Sequence, residues 1–278
     1  MEATIQYIEK ELNGIYPTNE IRGFIRIIFQ HVCGLNYTDQ VIKRKENLDE
    51  SSKKQINEIV NRLKNFEPIQ YILGETEFLG LILRVTPSVL IPRPETEELV
   101  QWIIRSEKKA VTILDIGTGS GCIALALKNR LENSRVTGID LSADVLEIAR
   151  ENAALNKLDV LFKQSDILQP SNEIPGPFDI IVSNPPYVRY SEKRFMQPNV
   201  LNYEPKEALF VPDTDPLVFY RAIARFARHY LKTDGRLYFE INEKLGGATS
   251  RLLEENGFRQ VEISKDLQGK ERMLRCKK

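Results

Sequence analysis

Residues 111–127 read VTILDIGTGSGCIALAL: a β-branched apolar run, three glycines spaced by one residue, then a stretch of helix formers. A short apolar run closed by glycine predicts a buried strand, and the alanine and leucine that follow predict a helix. Gly117, Gly119 and Gly121 give a GxGxG turn between the two. Lacking Cβ atoms, such a turn bends sharply and lets a ligand come close to the backbone. The spacing is not the GxGxxG that seats a pyrophosphate at a helix N-terminus.

The same strand–helix alternation continues to the end of the chain. Strands are predicted at RVTGID (135–140), DVLFKQSD (159–166), FDIIVSN (178–184) and GRLYFEI (235–241), with helices at 121–132 and 142–157. This pattern predicts a doubly wound, mainly parallel sheet with helices on both faces. The tail departs from it: FRQVEISKD (258–266) and QGKERMLRCKK (268–278) are strands joined by a short turn. Such a turn permits only antiparallel pairing, so one terminal strand of a seven-stranded sheet should run against the rest.

Upstream, residues 1–72 carry apolar residues at three- and four-residue spacing, as in NEIRGFIRIIFQHVCGL (19–35) and SSKKQINEIVNRLKNF (51–66). They predict four or five short helices in a small bundle. TEFLGLILRV (76–85) reads as a hairpin bending at Gly80. The expected layout is a helical domain at 1–72, a hairpin linker at 73–92 and an α/β domain at 93–278.

Bulk properties narrow the class. The chain has 39 basic and 39 acidic residues, so no global field draws in a polyanion. No apolar stretch approaches the ~20 residues that span a bilayer, and the charged start of the chain argues against a signal peptide. Cys33, Cys122 and Cys276 are scattered, without the spacing of a disulfide framework or zinc site. A cytoplasmic protein without a bound metal is expected.

Three further strand ends supply polar groups. Asp140 closes the second strand, where a carboxylate can accept from both hydroxyls of a ribose; the plainer alternative is a cap for the following helix. Asp166 closes the third strand and can serve either as a turn residue or as an acceptor for an adenine amino group. The fourth strand ends in Asn184-Pro185-Pro186-Tyr187. Two prolines fix their own φ and remove two N–H groups, leaving a rigid stub. That stub presents the Asn184 side-chain oxygen and the Pro185 carbonyl, two fixed acceptors suited to a planar NH2 group. Tyr187 adds an aromatic wall and a hydroxyl. Holding both N–H bonds of an amide or aromatic amine lets its nitrogen pyramidalise with the lone pair aimed at a methyl donor. The plainer reading of the same residues is a turn that ends a core strand. His31 and His229 lie far from these motifs and read as structural.

Together these motifs resemble those of the class I S-adenosylmethionine-dependent methyltransferases. Within that superfamily the chain is similar, over essentially its whole length, to the protein-(glutamine-N5) methyltransferases of peptide chain release factors. QYILG (70–74), Phe78-x-Gly80, IPRPETE (91–97) and YEPKEALF (203–210) carry the narrower resemblance; NPPY is shared with enzymes that methylate amino groups of DNA and RNA. The resemblance implies that Gly117, Thr118, Gly119, Ser120, Gly121, Asp140, Asp166, Ile167 and Asn184 line the S-adenosylmethionine pocket. It implies that Asn184, Pro185 and Tyr187 are catalytic, holding with Pro186 the glutamine amide of a Gly-Gly-Gln loop. Arg93 and Thr96 are expected to border the cofactor or substrate entrance, although Pro94 and the acids after it also make a good helix start. Ile167 stands where relatives often have an aromatic residue, which weakens ring stacking on the adenine.

The expected partner is a release factor, with no direct nucleic-acid or membrane contact and a monomeric enzyme. A base-directed methyltransferase is the main rival, since a flipped base fits the same clamp; against it stands the lack of a basic, aromatic-rich segment. A nicotinamide-dependent oxidoreductase or a non-catalytic nucleotide-binding module is disfavoured by the glycine spacing and the intact clamp.

Overall fold

A computed structural model describes residues 1–107, 111–131, 133–170 and 174–278. The last residue of the helix expected over 121–132 lies outside them. The chain divides into two compact units, Met1–Gly74 with Gln197–Tyr203, and Glu75–Met196 with Glu204–Lys278. Among the described residues no helix is long and apolar enough to cross a membrane.

The first unit begins with five helices, α1 (Glu2–Leu12), α2 (Thr18–Cys33), α3 (Tyr37–Ile42), α4 (Glu50–Leu63) and α5 (Ile69–Leu73). On α2, Ile21, Phe24, Ile25, Ile28 and Phe29 are buried, a stripe at helical spacing. They meet Ile8 and Leu12 of α1 and Ile56, Ile59, Val60 and Leu63 of α4 in one core. Asp49 caps α4 by accepting from the Ser52 amide at 2.7 Å, and Gly34 ends α2 in the left-handed conformation.

The second unit opens with the hairpin β1 (Glu75–Phe78) and β2 (Leu81–Arg84). Its two-residue turn places Leu79 at φ +48° and Gly80 at φ +83°, the twist that tight hairpins favour. The Leu79 amide donates to Glu97 at 3.0 Å, in the first turn of α6 (Pro94–Ser106). Then follow β3 (Thr112–Ile116), α7 (Cys122–Arg130), β4 (Arg135–Asp140), α8 (Ala143–Leu155), β5 (Leu161–Gln164), β6 (Phe178–Ser183) and β7 (Val188–Arg189). After a 3₁₀ turn at Tyr190–Phe195 the chain enters α9 (Pro198–Tyr203), which belongs to the first unit; there Tyr203 donates to the Asn65 carbonyl at 2.9 Å. Back in the second unit come β8 (Phe210–Val211), α10 (Val218–Tyr230), β9 (Leu231–Glu240), α11 (Gly246–Glu255), β10 (Arg259–Lys265) and β11 (Glu271–Lys277).

The main sheet has the order β10-β11-β9-β6-β3-β4-β5. Pairs among β9, β6, β3, β4 and β5 are parallel, whereas β11 is antiparallel to both of its neighbours. This is the seven-stranded arrangement with one reversed terminal strand that the sequence predicts. Strand residues alternate between two cores. Ile113, Ile180, Val182 and Tyr238 join the α6–α7–α8 side, while Leu114, Ile181, Leu237 and Phe239 join the α10–α11 side. Strands buried on both faces account for the continuous apolar runs. The sequence-based scheme lacks α10, although Tyr220, Ile223, Ala224 and Ala227 bury one clear helical stripe.

Asn152, fully buried on α8, ties the hairpin to the glycine turn. It exchanges two hydrogen bonds with the Arg84 backbone, at 2.6 and 3.0 Å, and donates to the Ser120 carbonyl at 2.9 Å.

Candidate active site

Chain order reverses between β3 and β6: β4 continues on one side of β3 while β6 lies on the other. In open α/β sheets the crevice at the carboxyl ends of such strands is where ligands bind. Register puts the ends level. Ile116 pairs with Ile139 and with Ser183, and Ser183 pairs with Phe239. The next residues in the four strands are therefore Asp140, Gly117, Asn184 and Glu240, side by side along one edge.

At the β3–β4 end, the Gly117 and Thr118 amides both donate to the Ile139 carbonyl at 2.9 Å. Gly117, Gly119 and Gly121 hold φ values of +70°, +55° and +82°, a region costly for any residue with a Cβ. A Cβ on Gly117 or Gly119 would meet nothing within 4 Å, whereas one on Gly121 would press on Leu125 at 3.2 Å. The turn thus fronts open space with its first two glycines and packs with its third. Gly138 of β4 lies beneath it, and a Cβ there would stand 2.8 Å from both the Phe162 ring and the Thr118 hydroxyl.

Asp140 accepts from the Gly119 amide at 3.0 Å through one oxygen and from the Ser142 amide at 3.2 Å through the other. Burial raises its pKa, and these amides draw it back. The following helix is capped by Ser142, not by Asp140. Asp115, behind the turn, is wholly buried and accepts from the Thr118 hydroxyl at 2.7 Å. Burial lifts its pKa to about 7. Asp166 accepts from the Leu168 amide at 2.8 Å, a local turn contact, and Ile167 packs against the α10–α11 core. Leu141, next to Asp140, is exposed despite its apolar side chain.

At the β6–β9 end, strand alternation turns Asn184 and Glu240 towards the side of the sheet that α6 covers. The Asn184 amide nitrogen donates to the Thr96 hydroxyl at 3.2 Å. That hydroxyl donates to Glu240 at 2.6 Å, and the Tyr187 hydroxyl donates to the other Glu240 oxygen at 2.8 Å. Thr96 and Glu240 are 2% and 1% exposed, so both stand behind the Asn184 side chain. Burial pushes the Glu240 pKa up, and the two hydroxyls pull it down. Burial first, and the Glu240 charge second, push the Tyr187 hydroxyl well above its ordinary range. Asn242 donates to the Tyr187 carbonyl at 3.1 Å and to Glu192 at 3.0 Å, fixing the backbone after the two prolines. Pro185 is buried and Pro186 half-buried.

Arg93 immediately precedes α6 without a side-chain cap of its own and pairs at 2.5 Å with Glu204, whose carboxylate is almost wholly buried. Glu204 also accepts from the Ile91 amide at 3.3 Å. The IPRPETE and YEPKEALF segments thus meet through one ion pair.

Of the site residues expected from the sequence, Gly117, Thr118, Gly119, Gly121 and Asp140 meet at the β3–β4 end, and Thr96, Asn184, Pro185, Pro186 and Tyr187 gather at the β6–β9 end. Ser120 accepts from Asn152 through its carbonyl, Arg93 pairs with Glu204, and Asp166 and Ile167 follow β5, whose next residue, Ser165, donates its amide to the Asp140 carbonyl. Glu240 and Asn242 are not legible in the sequence. The only signal for Glu240 is an acid closing an apolar strand, LYFEI, at the level where Asp140 closes another.

Comparisons with known proteins agree with this architecture. A family model described as "Methyltransferase domain" matches residues 107–265, and one described as "PrmC N-terminal domain" matches residues 4–74. The release factor glutamine methyltransferase of Flavobacterium psychrophilum is 47% identical over 95% of this chain and 94% of its own. Its counterpart in Bacteroides thetaiotaomicron is 43% identical over 99% of each chain. Among solved structures, a methyltransferase from Pyrococcus furiosus superposes with a TM-score of 0.53 at 21% identity, over 71% of this chain and 89% of its own. The Thermus thermophilus 16S rRNA N2 G1207 methyltransferase does so with 0.54 at 19% identity, over 73% and 49%. At such identities these structures speak for the fold alone. The near full-length relatives speak for more: the chain belongs to the release factor glutamine methyltransferase family and is an S-adenosylmethionine-dependent enzyme.

Proposed function

We propose that this chain methylates the side-chain nitrogen, N5, of the glutamine in the Gly-Gly-Gln loop of peptide chain release factors. The observation that carries the reading is the orientation of the Asn184 amide. With its nitrogen donating to Thr96, its oxygen is the atom left to receive a donor, next to the Pro185 carbonyl. Two acceptors on a stub stiffened by two prolines match the two N–H bonds of a primary amide.

S-adenosylmethionine, when bound, supplies a methyl group on a positively charged sulfur, an electrophile that needs no further activation. Gly117 and Gly119 offer it a backbone surface free of side chains, and Asp140 retains lone pairs to accept from ribose hydroxyls. Leu141, Asp166 and Ile167 border the same strand ends and suit an adenine ring. This donor set fits a nucleoside-type ligand.

The protein's own task is the nucleophile. A carboxamide nitrogen shares its lone pair with the carbonyl. Asn184 and the Pro185 carbonyl hold both N–H bonds, so the lone pair can leave conjugation and point towards the glycine turn. Positioning of this kind is worth about 7–11 kcal/mol in favourable intramolecular systems. The same acceptors stabilise positive charge as it develops on nitrogen. The extra proton becomes acidic only after transfer, so no strong base is needed beforehand. Tyr187 forms a wall, its hydroxyl proton already committed to Glu240.

In this reading the helical unit docks the release factor, and its exposed Tyr37, Val41 and Ile42 are suitable contacts. The enzyme acts as a monomer in the cytoplasm, on a protein, without gripping nucleic acid directly; the balance of 39 basic and 39 acidic residues supports that. The test is transfer of labelled methyl to a purified release factor beside its Gln→Ala variant in the Gly-Gly-Gln loop. Label on the first and none on the second is expected. Label on neither, but on tRNA, rRNA or DNA supplied in parallel, would overturn the reading.

A further inference from the structure

An asparagine amide is nearly symmetrical in shape, and a half-turn exchanges its oxygen for an NH2 group. In a clamp that must accept two hydrogen bonds, the flipped form would point donors at donors. Something in the fold has to set which way round Asn184 stands, and neither proline can.

We infer that Glu240 is the positioning residue that sets the Asn184 orientation, acting through Thr96. Glu240 is a carboxylate with only acceptors to offer. Each of its oxygens meets one hydroxyl, Thr96 at 2.6 Å and Tyr187 at 2.8 Å. A hydroxyl has one proton. With the Thr96 proton directed at Glu240, Thr96 can only accept from Asn184, and Asn184 must meet it with nitrogen, as it does at 3.2 Å. The Asn184 oxygen is then fixed on the substrate side. The polarity of the clamp thus follows from a buried charge two hydrogen bonds away.

Placement supports a dedicated device. Glu240 lies level with Asn184 on the neighbouring strand, and Thr96 sits on the buried stripe of α6 with Leu99, Val100 and Ile103. A carboxylate in such a place is costly unless its lone pairs are met. An apolar residue there would hold α6 to the sheet equally well, so packing alone does not call for an acid. This inference rests on the reading that Asn184 holds the substrate amide, and the experiment separates the two.

Thr96→Val, Thr96→Ser, Glu240→Gln and Asn184→Ala would be compared in the full chain for kcat with a release factor, for cofactor affinity by calorimetry and for melting temperature. Thr96→Val, which keeps the volume and removes the hydroxyl, is expected to lower kcat about 30-fold or more with cofactor affinity within about threefold. Thr96→Ser should restore kcat to within about fivefold of the native enzyme. Glu240→Gln must donate to one of its two hydroxyls. Where it chooses Thr96, that proton is freed and the amide can flip, so a loss of about tenfold in kcat is expected. If Thr96→Val and Glu240→Gln keep kcat within about threefold while Asn184→Ala loses it, the inference fails and the clamp stands. An equal loss in Thr96→Ser and Thr96→Val also overturns it, because the hydroxyl is then irrelevant. Near-native turnover in Asn184→Ala would remove the clamp itself. Should Glu240→Gln fail to fold, the Val and Ser pair at Thr96 decides alone.

Discussion

β4 and β9 of the same sheet both end in an acid at the same level, yet the two acids live in different surroundings. Asp140 is partly exposed and takes one backbone amide on each oxygen, from Gly119 and Ser142. Glu240 is wholly buried and takes one side-chain hydroxyl on each oxygen, from Thr96 and Tyr187. Amide donors from a turn shape the backbone and leave the carboxylate lone pairs free for the ribose of the proposed cofactor site. Hydroxyl donors pass a direction on, because each has a second role as acceptor. In the proposed reading one strand-end acid meets the cofactor directly and the other acts on the residue that touches the substrate.

Two substitutions should separate the two ends most sharply. Asn184→Ala, at the Glu240 end, is expected to lower kcat by about 10²–10³, the scale on which a preorganised polar contact to the reacting group is lost. Cofactor affinity, measured by calorimetry on the same sample, should change little. Asp140→Ala should do the reverse, weakening cofactor binding by about 10–100-fold through loss of charge-assisted hydrogen bonds. Its kcat at saturating cofactor should stay close to native. If both variants lost affinity and turnover in parallel, the division between a cofactor end and a substrate end would be wrong.

Smaller effects sharpen the description of the Asp140 end. Gly138→Ala forces a methyl group 2.8 Å from the Phe162 ring and the Thr118 hydroxyl. Overpacking of this kind costs about 1–3 kcal/mol, so denaturant unfolding should show a lower midpoint with an unchanged slope. Gly119→Ala meets no neighbour within 4 Å but must hold φ near +55°. A loss of about 1 kcal/mol is expected from that strain. An Ala at 119 as damaging to folding as one at 138 would mean that the turn is packed rather than open.

The Asp140 end was legible in the sequence because its parts are close in the chain. A strand, GxGxG, the next strand and its acid fall within residues 111–140, and the alternation of elements gives the order of the sheet. NPPY was legible for a similar reason: four adjacent residues carry the stiffness and the acceptors. The network behind the clamp was not. Thr96 meets Glu240 across 144 positions and Tyr187 meets it across 53, and no local pattern encodes such a meeting. IPRPETE suggests Thr96 as a residue at the cofactor or substrate entrance, but its burial and its bond to Glu240 are products of how α6 packs. Asn152 is a like case: a buried amide in ENAALN looks like an ordinary helix residue until Arg84, 68 positions away, is beside it. The assignment of Gln197–Tyr203 to the helical unit also depends on tertiary packing, because the segment is separated from residues 1–74 by most of the sheet.

In the proposed reaction the clamp formed by Asn184 and Pro185 presents a glutamine side-chain nitrogen for methylation. Its most direct test is mass-spectrometric localisation of the methyl group on a release factor after incubation with the native enzyme and S-adenosylmethionine. A single methyl on the side-chain nitrogen of the Gly-Gly-Gln glutamine is expected, and none after incubation with Asn184→Ala. A methyl group on another residue, or on the same glutamine at near-native rate with Asn184→Ala, would contradict it.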